Sequence, residues 1–302
     1  MRKSLNVGLI GLDTSHVEAF ARILNVESDP DHIPGAKVVA GFPGGSPDFD
    51  LSVSRVEGYT NKLRDEYGVD ILDAPEAVAE RCDLVFINAV DGRTHRELFE
   101  RIVSFGRPVF IDKPFAVGAE DAEAILSLAK KQAVAVMSCS ALRYADNFQQ
   151  AIHAGDGRGA IVGCDVYGPM EVRPPMPGLY WYGCHTVEMI VAAMGAGAKT
   201  VRVTTTRDAD LVTVEWNDGR IASIRGLRQA HSKFGAILHR GDDATYVDVS
   251  INRRPYYAGM LEAILRSLPE GRSDIPAEEM LAAVKIMDAA NESRQTGKTV
   301  TL

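Results

Sequence analysis

The segment 84–116 constrains the fold most, because it has the pattern of a strand, a helix and a second strand in direct succession. The run Leu84–Ile87 is short and apolar, which is typical of a buried strand. Apolar residues at near-helical spacing follow, and Gly106 and Pro108 end that helix. A second apolar run, Val109–Ile111, completes a unit of about 30 residues, the length of a right-handed parallel crossover. The segment therefore predicts a parallel α/β sheet.

The composition bounds the class of protein. A length of 302 residues predicts one or two domains, and 46% hydrophobic with 25% charged residues is ordinary for a globular protein. The net charge of −8 gives no overall basic field that would favour nucleic acid or anionic lipid. We find no apolar run of membrane-spanning length and no signal-peptide pattern before the first strand. We therefore expect a cytoplasmic protein that binds neither nucleic acid nor membrane.

The four cysteines, Cys82, Cys139, Cys164 and Cys184, show no Cys-x-x-Cys spacing. That spacing is common in zinc sites and redox pairs. Isolated cysteines fit a reducing compartment, where thiols stay free and are mostly buried. The sequence therefore predicts neither a metal site nor a disulfide framework.

The N-terminal segment has the strand, tight turn and helix that open a nucleotide-binding α/β domain. Leu5–Ile10 has a buried-strand pattern, Gly11 begins the turn, and the segment 17–24 is amphipathic. Either Thr14 or Ser15 is expected to cap the helix. A helix N-terminus beside a glycine turn attracts phosphate groups, so this turn is a candidate site for the phosphates of a dinucleotide.

The same turn departs from the Gly-x-Gly-x-x-Gly pattern of dinucleotide-binding proteins. It keeps Gly11 but has Asp13 and His16 at the second and third glycine positions. The second glycine normally lets the pyrophosphate approach the backbone. A carboxylate there repels phosphate unless it turns away or caps the helix. A capped helix start that binds no ligand is the alternative that this motif leaves open.

The residues after the second predicted strand, 37–42, bear on the choice between NAD and NADP. A site for NAD usually has an acidic residue near the end of this strand, which holds the ribose hydroxyls. Here no acid follows directly, and Ser46 is a candidate to contact a 2′-phosphate. The pattern therefore leans slightly to NADP. For Arg55 we prefer a place in a loop over 43–58, followed by a short helix over 59–67.

Polar residues follow the two strands of the central unit. Asn88 and Ala89 come directly after Leu84–Ile87, and 112–114 (Asp-Lys-Pro) follow the next strand. Ligands bind beyond the carboxyl ends of the strands in an open parallel sheet. An ammonium held against a carboxylate there can donate a proton or polarise a carbonyl. A solvated ion pair in a loop is the alternative for an isolated Asp-Lys pair.

The pattern of the second half of the chain predicts a largely antiparallel open sheet. Asn217-Asp218-Gly219 between two strand-like segments is a strong hairpin signal. The predicted strands are 161–167, 200–206, 211–216, 220–227, 234–239 and 244–249, with a turn over 155–159 and helices over 256–268 and 277–296. We therefore predict a doubly wound Rossmann domain over 1–117 and an α+β domain over 118–302.

Several of these features resemble the Gfo/Idh/MocA oxidoreductases, relatives of glucose–fructose oxidoreductase and inositol dehydrogenase. The resemblance lies in 94–95 (Thr-His) at a helix start, 106–107 (Gly-Arg), and 112–114 (Asp-Lys-Pro), where the family has Glu-Lys-Pro. The segment 289–300 resembles the family's terminal helix and strand. The resemblance spans nearly the whole chain and is most specific at 112–114 and at the C-terminus.

The resemblance implies an NAD(P)-dependent oxidoreductase that transfers a hydride between nicotinamide and a hydroxyl or keto group of a sugar- or cyclitol-like substrate. It makes Lys113 the catalytic lysine near the nicotinamide and the substrate hydroxyl. His95 is interpreted as a helix-start or domain-contact residue rather than a base. The implied cofactor-binding residues are Gly11, Asp13, Thr14, Ser15, Asn88, Ala89 and Asp112.

The segment 178–195 resembles the family's catalytic helix, Asp-x-Gly-x-His-x-x-Asp. Gly183 and His185 match, Glu188 replaces the final Asp, and Trp181 stands where the family has its catalytic Asp. His185 can accept a proton from an alcohol or donate one to a carbonyl. We therefore expect Lys113 and His185 to share one cavity as the catalytic residues. A helix-capping or core histidine is the alternative.

The substrate-binding candidates are Arg143, Trp181 and Tyr182. Arg143 resembles the family's substrate-side arginine, and the aromatic rings can stack on a sugar. Because tryptophan transfers no proton, Tyr180 or Tyr182 is a candidate for the acid role, and simple packing is the alternative for both. The family's second sheet commonly pairs with a neighbouring subunit, which implies a homodimer or homotetramer.

Two rival functions stay open. A ligand sensor or scaffold on the same fold, without redox chemistry, is favoured by Asp13 and Trp181 and disfavoured by Lys113 and His185. A metal-dependent hydrolase using Asp13, His16 and His185 is the more distant alternative.

Overall fold

The structure is a computed structural model that describes residues 4–154, 160–229, 233–241 and 243–302. The predicted turn over 155–159 lies outside these ranges. The chain forms two compact units that interleave along the sequence. Unit 1 comprises Met1–Ala116, Glu120–Cys139 and Tyr257–Ala277, and unit 2 comprises Val117–Ala119, Ser140–Tyr256 and Glu278–Leu302. The predicted division at residue 117 stays a prediction.

Unit 1 is built on a parallel sheet of six strands. These are β1 (Leu5–Ile10), β2 (Ala36–Phe42), β3 (Asp70–Ile71), β4 (Leu84–Ile87), β5 (Val109–Ile111) and β6 (Val136–Ser138). Their order is β3-β2-β1-β4-β5-β6, and every neighbouring pair is parallel. The order reverses between β1 and β4, which is the switch point beside which such sheets bind ligands. The predicted doubly wound α/β class is confirmed.

Helices cover the sheet of unit 1, which explains why β4 and β5 are wholly apolar and buried. The helices are α1 (Ser15–Asn25), α2 (Asp50–Tyr67), α3 (Pro75–Arg81), α4 (His95–Ile102) and α5 (Ala119–Lys131). The predicted loop over 43–58 is wrong beyond Phe49, because α2 begins at Asp50. This helix buries little besides Leu51, Ser52 and Leu63, so its apolar periodicity is weak.

Unit 2 contains a sheet of seven strands. These are β7 (Gly163–Pro169), β8 (Ala198–Thr205), β9 (Ala209–Trp216), β10 (Ile221–Leu227), β11 (Gly235–Arg240), β12 (Asp243–Asp248) and β13 (Val300–Thr301). Their order is β12-β11-β7-β10-β9-β8-β13. The β7–β10 pair is parallel and the other neighbouring pairs are antiparallel, so the predicted mostly antiparallel sheet is confirmed.

The remaining helices are α6 (Asp146–Ile152), α7 (Gly183–Met194), α8 (Tyr256–Ser267) and α9 (Ala277–Thr296). Helix α7 packs against β7 and β10, while α8 from Tyr257 onward belongs to unit 1. Across the described ranges, no helix combines the length and the apolar character needed to cross a membrane. The four cysteines are buried free thiols, as predicted, and burial raises the pKa of Cys82 and Cys164 to about 12.

Candidate functional site

Four polar residues meet at the carboxyl ends of β1, β4 and β5 in unit 1, and we call them the switch-point cluster: His16, Asn88, Asp112 and Lys113. His16 Nδ1 lies 2.5 Å from Asp112 Oδ2, and Asn88 Nδ2 donates to the same oxygen at 3.3 Å. The backbone N–H of Lys113 donates to Asp112 Oδ1 at 2.8 Å. Both oxygens of this carboxylate are therefore held by neighbours within the unit.

Asp112 stays ionised despite its burial. Burial by itself raises the pKa of this carboxyl. The charge of His16, its hydrogen bond and the charge of Lys113 act in the opposite direction, and together they bring the pKa of Asp112 below its ordinary value. The charge of Lys113, the predicted partner, acts on the Asp112 carboxylate, and the His16 ring is a further partner that contacts its Oδ2.

In the sequence, His16 stands at the position of the third glycine and was otherwise considered only as a metal ligand, so its pairing with Asp112 was not predicted. The two residues are 96 positions apart; His16 lies in the first turn of α1, beyond the end of β1, and Asp112 directly follows the end of β5. No local pattern could have shown the contact, because the strand order alone brings those ends to one edge of the sheet. A signal was present only in the side-chain types, since a histidine and a buried aspartate are a favourable pair.

A second histidine ties the loops after β4 and β5 together. The two ring nitrogens of His95 lie 2.9 Å from the carbonyl oxygen of Pro114 and 2.8 Å from that of Ala89. His95 is buried and begins α4, which confirms its interpretation as a helix-start residue. The peptide bond between Lys113 and Pro114 is cis. The segment that carries Lys113 therefore has hydrogen-bonded contacts on both sides.

The turn after β1 has its carboxylate turned inward. Asp13 is fully buried; Ser52 Oγ donates to its Oδ2 at 2.6 Å, and Val90 N–H donates to its Oδ1 at 2.8 Å. Burial raises the pKa of Asp13, while these hydrogen bonds oppose the rise. Gly11 has φ +87°, and a Cβ there would lie 2.4 Å from Ala89 N, so this position requires glycine. Because the Asp13 carboxylate points inward and accepts these two hydrogen bonds, it repels a phosphate group at the turn less than an exposed carboxylate would.

The start of α1 is capped as predicted. Thr14 is the N-cap, and its hydroxyl accepts from His16 N–H at 3.4 Å. Ser15 is the first residue of the helix and is exposed. This leaves an eleven-residue helix whose N-terminus, with its partial positive charge, begins directly after the turn.

The loop after β2 does not support the predicted lean to NADP. Ser46 is buried, its N–H donates to Ser52 Oγ at 2.8 Å, and its hydroxyl donates to Asp91. Burial raises the pKa of Asp91, but Ser46 and Arg93 outweigh it and lower the pKa. Arg93 also pairs with Asp48 at 2.9 Å. Ser46, which was predicted to contact a 2′-phosphate, is therefore hydrogen-bonded to other residues of unit 1.

In unit 2, His185 lies in the first turn of α7 with its ring orientation fixed. Its Nδ1 is 2.7 Å from Ser140 Oγ, which also accepts from Leu142 N–H. The ring lies 5.5 Å from that of Tyr182 and 5.6 Å from that of Phe234, measured between centroids. His185 is half-buried. Lys113 and His185 belong to different units, and their sharing one cavity stays a prediction.

Arg143 is surrounded by two carboxylates of its own unit. Its guanidinium lies 3.6 Å from Glu188 Oε2 and forms a close ion pair with Glu279. Glu188 is buried, and burial raises the pKa of its carboxyl to about 7; Glu279 adds to the rise and Arg143 opposes it. The charge of Arg143 is therefore largely balanced inside unit 2, and its predicted contact with substrate stays a prediction.

The aromatic candidates differ in exposure. Trp181 is 7% exposed and packs between Tyr182 and the guanidinium of Arg173, which lies 5.9 Å from the indole centroid. Tyr182 is half-buried between Trp181 and His185. The hydroxyl of Tyr180 donates to Asp288 at 2.7 Å, so this residue is engaged in the core. Tyr182 is therefore the aromatic side chain of this segment best able to reach a ligand.

Two observations test whether the residues of unit 1 fit a dinucleotide. The turn after β1 presents the N-terminus of α1 while the Asp13 carboxylate points inward. Asn88 Oδ1, at the switch point, is buried without a hydrogen-bond partner among the described residues, so it can accept a bond from a ligand amide. The residues fit such a group.

The metal-dependent alternative finds no support in the parts of the chain that the structure describes. Asp13 bonds to Ser52 and Val90, whereas His16 bonds to Asp112. No group of three or more His, Cys, Asp or Glu residues in those parts is arranged to hold a metal ion.

Residues 49–139 match the sequence model of the Gfo/Idh/MocA proteins, described as an oxidoreductase family with an NAD-binding Rossmann fold. No curated protein matches the sequence.

Among solved structures, scyllo-inositol dehydrogenase from Lactobacillus casei is 16% identical with a TM-score of 0.81, covering 100% of this chain and 99% of its own. Myo-inositol 2-dehydrogenase from Lactobacillus plantarum is 18% identical with a TM-score of 0.80 and coverages of 99% and 100%. Myo-inositol dehydrogenase from L. casei, in complex with NAD(H) and myo-inositol, is 14% identical with a TM-score of 0.77 and coverages of 99% and 97%. At these identities the likeness shows the fold. Residues 49–139 therefore match the model of the Gfo/Idh/MocA oxidoreductase family, and over its whole length the chain has the fold of these inositol dehydrogenases.

Proposed function

We propose that the protein is an NAD-dependent oxidoreductase that transfers a hydride between nicotinamide and a hydroxyl or keto group of a cyclitol- or sugar-like molecule. The observation that carries this proposal is the switch-point cluster, which supports Lys113 at the carboxyl end of β5. The family is NAD-binding, and the L. casei relative holds NAD(H) and myo-inositol. Both facts support the choice of cofactor and substrate class.

The residues of unit 1 would hold the dinucleotide by their shape and hydrogen-bonding groups. Gly11, Thr14 and Ser15 would bring the N-terminus of α1 to the phosphates. Asn88 and Ala89 follow β4 and would line the nicotinamide side of the site. There Asn88 Oδ1 could accept a hydrogen bond from the cofactor. When bound, the nicotinamide supplies the two-electron acceptor or donor for the hydride.

Lys113 and His185 would act on the reacting oxygen of the substrate. The ammonium of Lys113 donates a hydrogen bond to that oxygen and stabilises the negative charge that develops as the carbon–hydrogen bond breaks. His185 accepts the hydroxyl proton in oxidation and returns it in reduction. Ser140 and the ring of Tyr182 hold the imidazole for this exchange. The substrate then loses one hydride and one proton, which balances the oxidation.

The substrate contacts follow from burial. Tyr182 is half-buried beside His185, and we assign it to stacking on the face of the polyol ring. Trp181 and Arg143 are nearly buried, and we assign them to contact the substrate through their remaining exposed edges while they hold Tyr182 and α7 in place.

His185→Asn is expected to lower kcat by about 10²-fold because it removes the proton acceptor. The dissociation constant for NADH should change by less than about twofold, since the cofactor contacts proposed above lie in unit 1. The measurement is steady-state oxidation of a panel of inositols and aldoses, with NADH binding followed by fluorescence. His153→Asn, at the exposed C-terminal end of α6 in the same unit, is the matched control and should behave as wild type. Wild-type kcat in His185→Asn with every oxidised substrate would overturn the assignment.

A ligand sensor without redox chemistry is the second candidate, and Trp181 in the place of the family's catalytic Asp favours it. Two measurements taken together distinguish the sensor from the oxidoreductase. If no member of the panel is oxidised and Lys113→Ala binds NADH and polyol as wild type does, the sensor is the correct function.

We also propose that the protein is a homodimer or homotetramer that pairs through the open face of the unit 2 sheet. Leu211, Ile221, Ile237 and Tyr246 leave 37–58% of their surface exposed there, which is unusual for large apolar side chains. Sedimentation velocity is expected to give a dimer or tetramer. Ile237→Arg should shift it toward monomer, whereas Val53→Arg, on an exposed helix of unit 1, should not. A wild-type monomer at all concentrations contradicts the proposal.

A further inference from the structure

The switch-point cluster contains a histidine–carboxylate pair that the proposed reaction does not use. His16 Nδ1 is 2.5 Å from Asp112 Oδ2, and Asp112 Oδ1 accepts the backbone N–H of Lys113 at 2.8 Å. The carboxylate therefore connects the first turn of α1 directly to the backbone of Lys113. This is a short path, with one side chain and two hydrogen bonds between His16 and the lysine's peptide group.

The ring of His16 is held in place by aromatic neighbours of its own unit. Its centroid lies 5.0 Å from that of Tyr257 and 6.0 Å from that of Phe20. The side chain of His16 is 14% exposed and that of Asp112 is 5% exposed. A contact between two such buried and packed groups persists in time, unlike a surface ion pair.

The other side of Lys113 has a different support. His95 contacts the carbonyl oxygens of Pro114 and Ala89 and thereby fixes the residue after the lysine. That support acts on backbone oxygens. The support from His16 acts through the carboxylate of Asp112, which also lies beside the charge of Lys113. If His16 were lost, Asp112 Oδ2 would keep one hydrogen bond among the described residues. Its donor is Asn88 Nδ2, at 3.3 Å.

We infer that His16 and Asp112 form a positioning pair, which orients the Lys113 backbone so that its ammonium meets the reacting oxygen. His16 is thus a positioning residue that acts through Asp112 and does not itself touch the substrate. The inference rests on the proposed function for its catalytic consequence. The positional part, the restraint on Lys113, stands on unit 1 alone.

The kinetic test uses His16→Phe, which keeps a ring between Phe20 and Tyr257 but removes the N–H. Loss of a hydrogen bond to a buried charge should lower kcat by about 10- to 100-fold. The dissociation constant for NADH should stay within about twofold of wild type. His16→Asn restores a side-chain N–H and should recover part of this loss.

A double variant separates positioning from a general structural effect. If His16 acts through Lys113, then His16→Phe should cause no further loss of kcat once Lys113 is alanine. A structural role gives additive losses, and additivity would overturn the inference.

A second readout needs no turnover. Hydrogen exchange of the Lys113 amide, followed by NMR, should be at least about tenfold faster in His16→Phe, since that amide loses the restraint on its acceptor. His32→Phe is the control, because the ring of His32 makes its hydrogen bond to the carbonyl oxygen of Ile23, and it should leave the Lys113 amide unchanged. If His16→Phe does not fold, the nearly isosteric Asp112→Asn takes its place with the same expected increase.

The outcomes separate the two proposals. An unchanged Lys113 amide in a folded variant overturns the positioning pair, whatever the activity. Failure of wild type to oxidise any substrate or to bind NADH overturns the proposed function, while faster exchange of the Lys113 amide still supports the restraint by His16.

Discussion

Lys113→Ala is expected to lower kcat by about 10³-fold, the largest effect of any single change proposed here. The ammonium is the one cationic group at the end of β5 that we assign to the reacting oxygen, and alanine leaves the developing charge without a donor. Binding of NADH should change by less than about threefold, because the phosphate contacts lie at α1. Steady-state kinetics and fluorescence titration measure the two quantities separately.

Two further variants make the Lys113 result specific. Lys113→Arg keeps the charge but presents a planar fork, so it should recover only part of the rate. Lys131→Ala, exposed at the end of α5, should match wild type. A small primary amine added to Lys113→Ala should restore part of the activity, because it can occupy the space of the missing ammonium. Wild-type kcat in Lys113→Ala would contradict the assigned role.

Glu188→Gln is expected to flatten the dependence of stability on pH in unit 2. The ordinary pKa of 4.5 is raised to about 7 in the folded protein, chiefly by burial. The folded state therefore holds a proton that the unfolded chain releases above pH 4.5. Its stabilising contribution is complete below pH 4.5 and is lost as the pH rises toward 7. The shift corresponds to about 3 kcal/mol between those limits, as an order of magnitude.

Urea unfolding of wild type and Glu188→Gln at several pH values measures this difference. Both tryptophans, Trp181 and Trp216, lie in unit 2, so their fluorescence reports on that unit. The free energy of unfolding of wild type should fall more steeply between pH 4.5 and 7 than that of Glu188→Gln. Glu171→Gln, at an exposed site, is the control and should keep the wild-type slope. Equal slopes for wild type and Glu188→Gln would show that Glu188 does not titrate in this range.

The strands of unit 1 were predictable because their signal is local. The runs Leu84–Ile87 and Val109–Ile111 are wholly apolar, as strands covered on both faces must be. The polar residues after them could be assigned to one sheet edge, since parallel strands end together. The start of α2 was not predictable, because this helix buries few apolar residues and its pattern resembles a loop.

The side-chain pairings of the site were not predictable, because they join distant parts of the chain. Asp13 meets Ser52 and Val90, which are 39 and 77 positions away, so its inward orientation had no local signal. Arg143 pairs with Glu279, 136 positions along. The resemblance to the family indicated that Arg143 lies near the substrate. Its pairing with the carboxylates of Glu188 and Glu279 is visible only in the folded unit.

The resemblance supplied the roles of Lys113 and His185, while the physical arguments from single residues left both open. A lysine after a strand and a histidine at a helix start have ordinary structural uses. The contacts now place each in an ordered setting, with Asp112 beside Lys113 and Ser140 beside His185. The roles of both residues in catalysis stay predictions.

Isothermal titration of the wild-type protein with NADH and NADPH addresses most directly whether unit 1 binds a dinucleotide. We expect NADH to bind at one site per chain with measurable heat. NADPH should bind more weakly, because Ser46 is engaged with Asp91. A correctly folded protein that gives no binding heat with either nucleotide, over several temperatures, would contradict the proposed oxidoreductase.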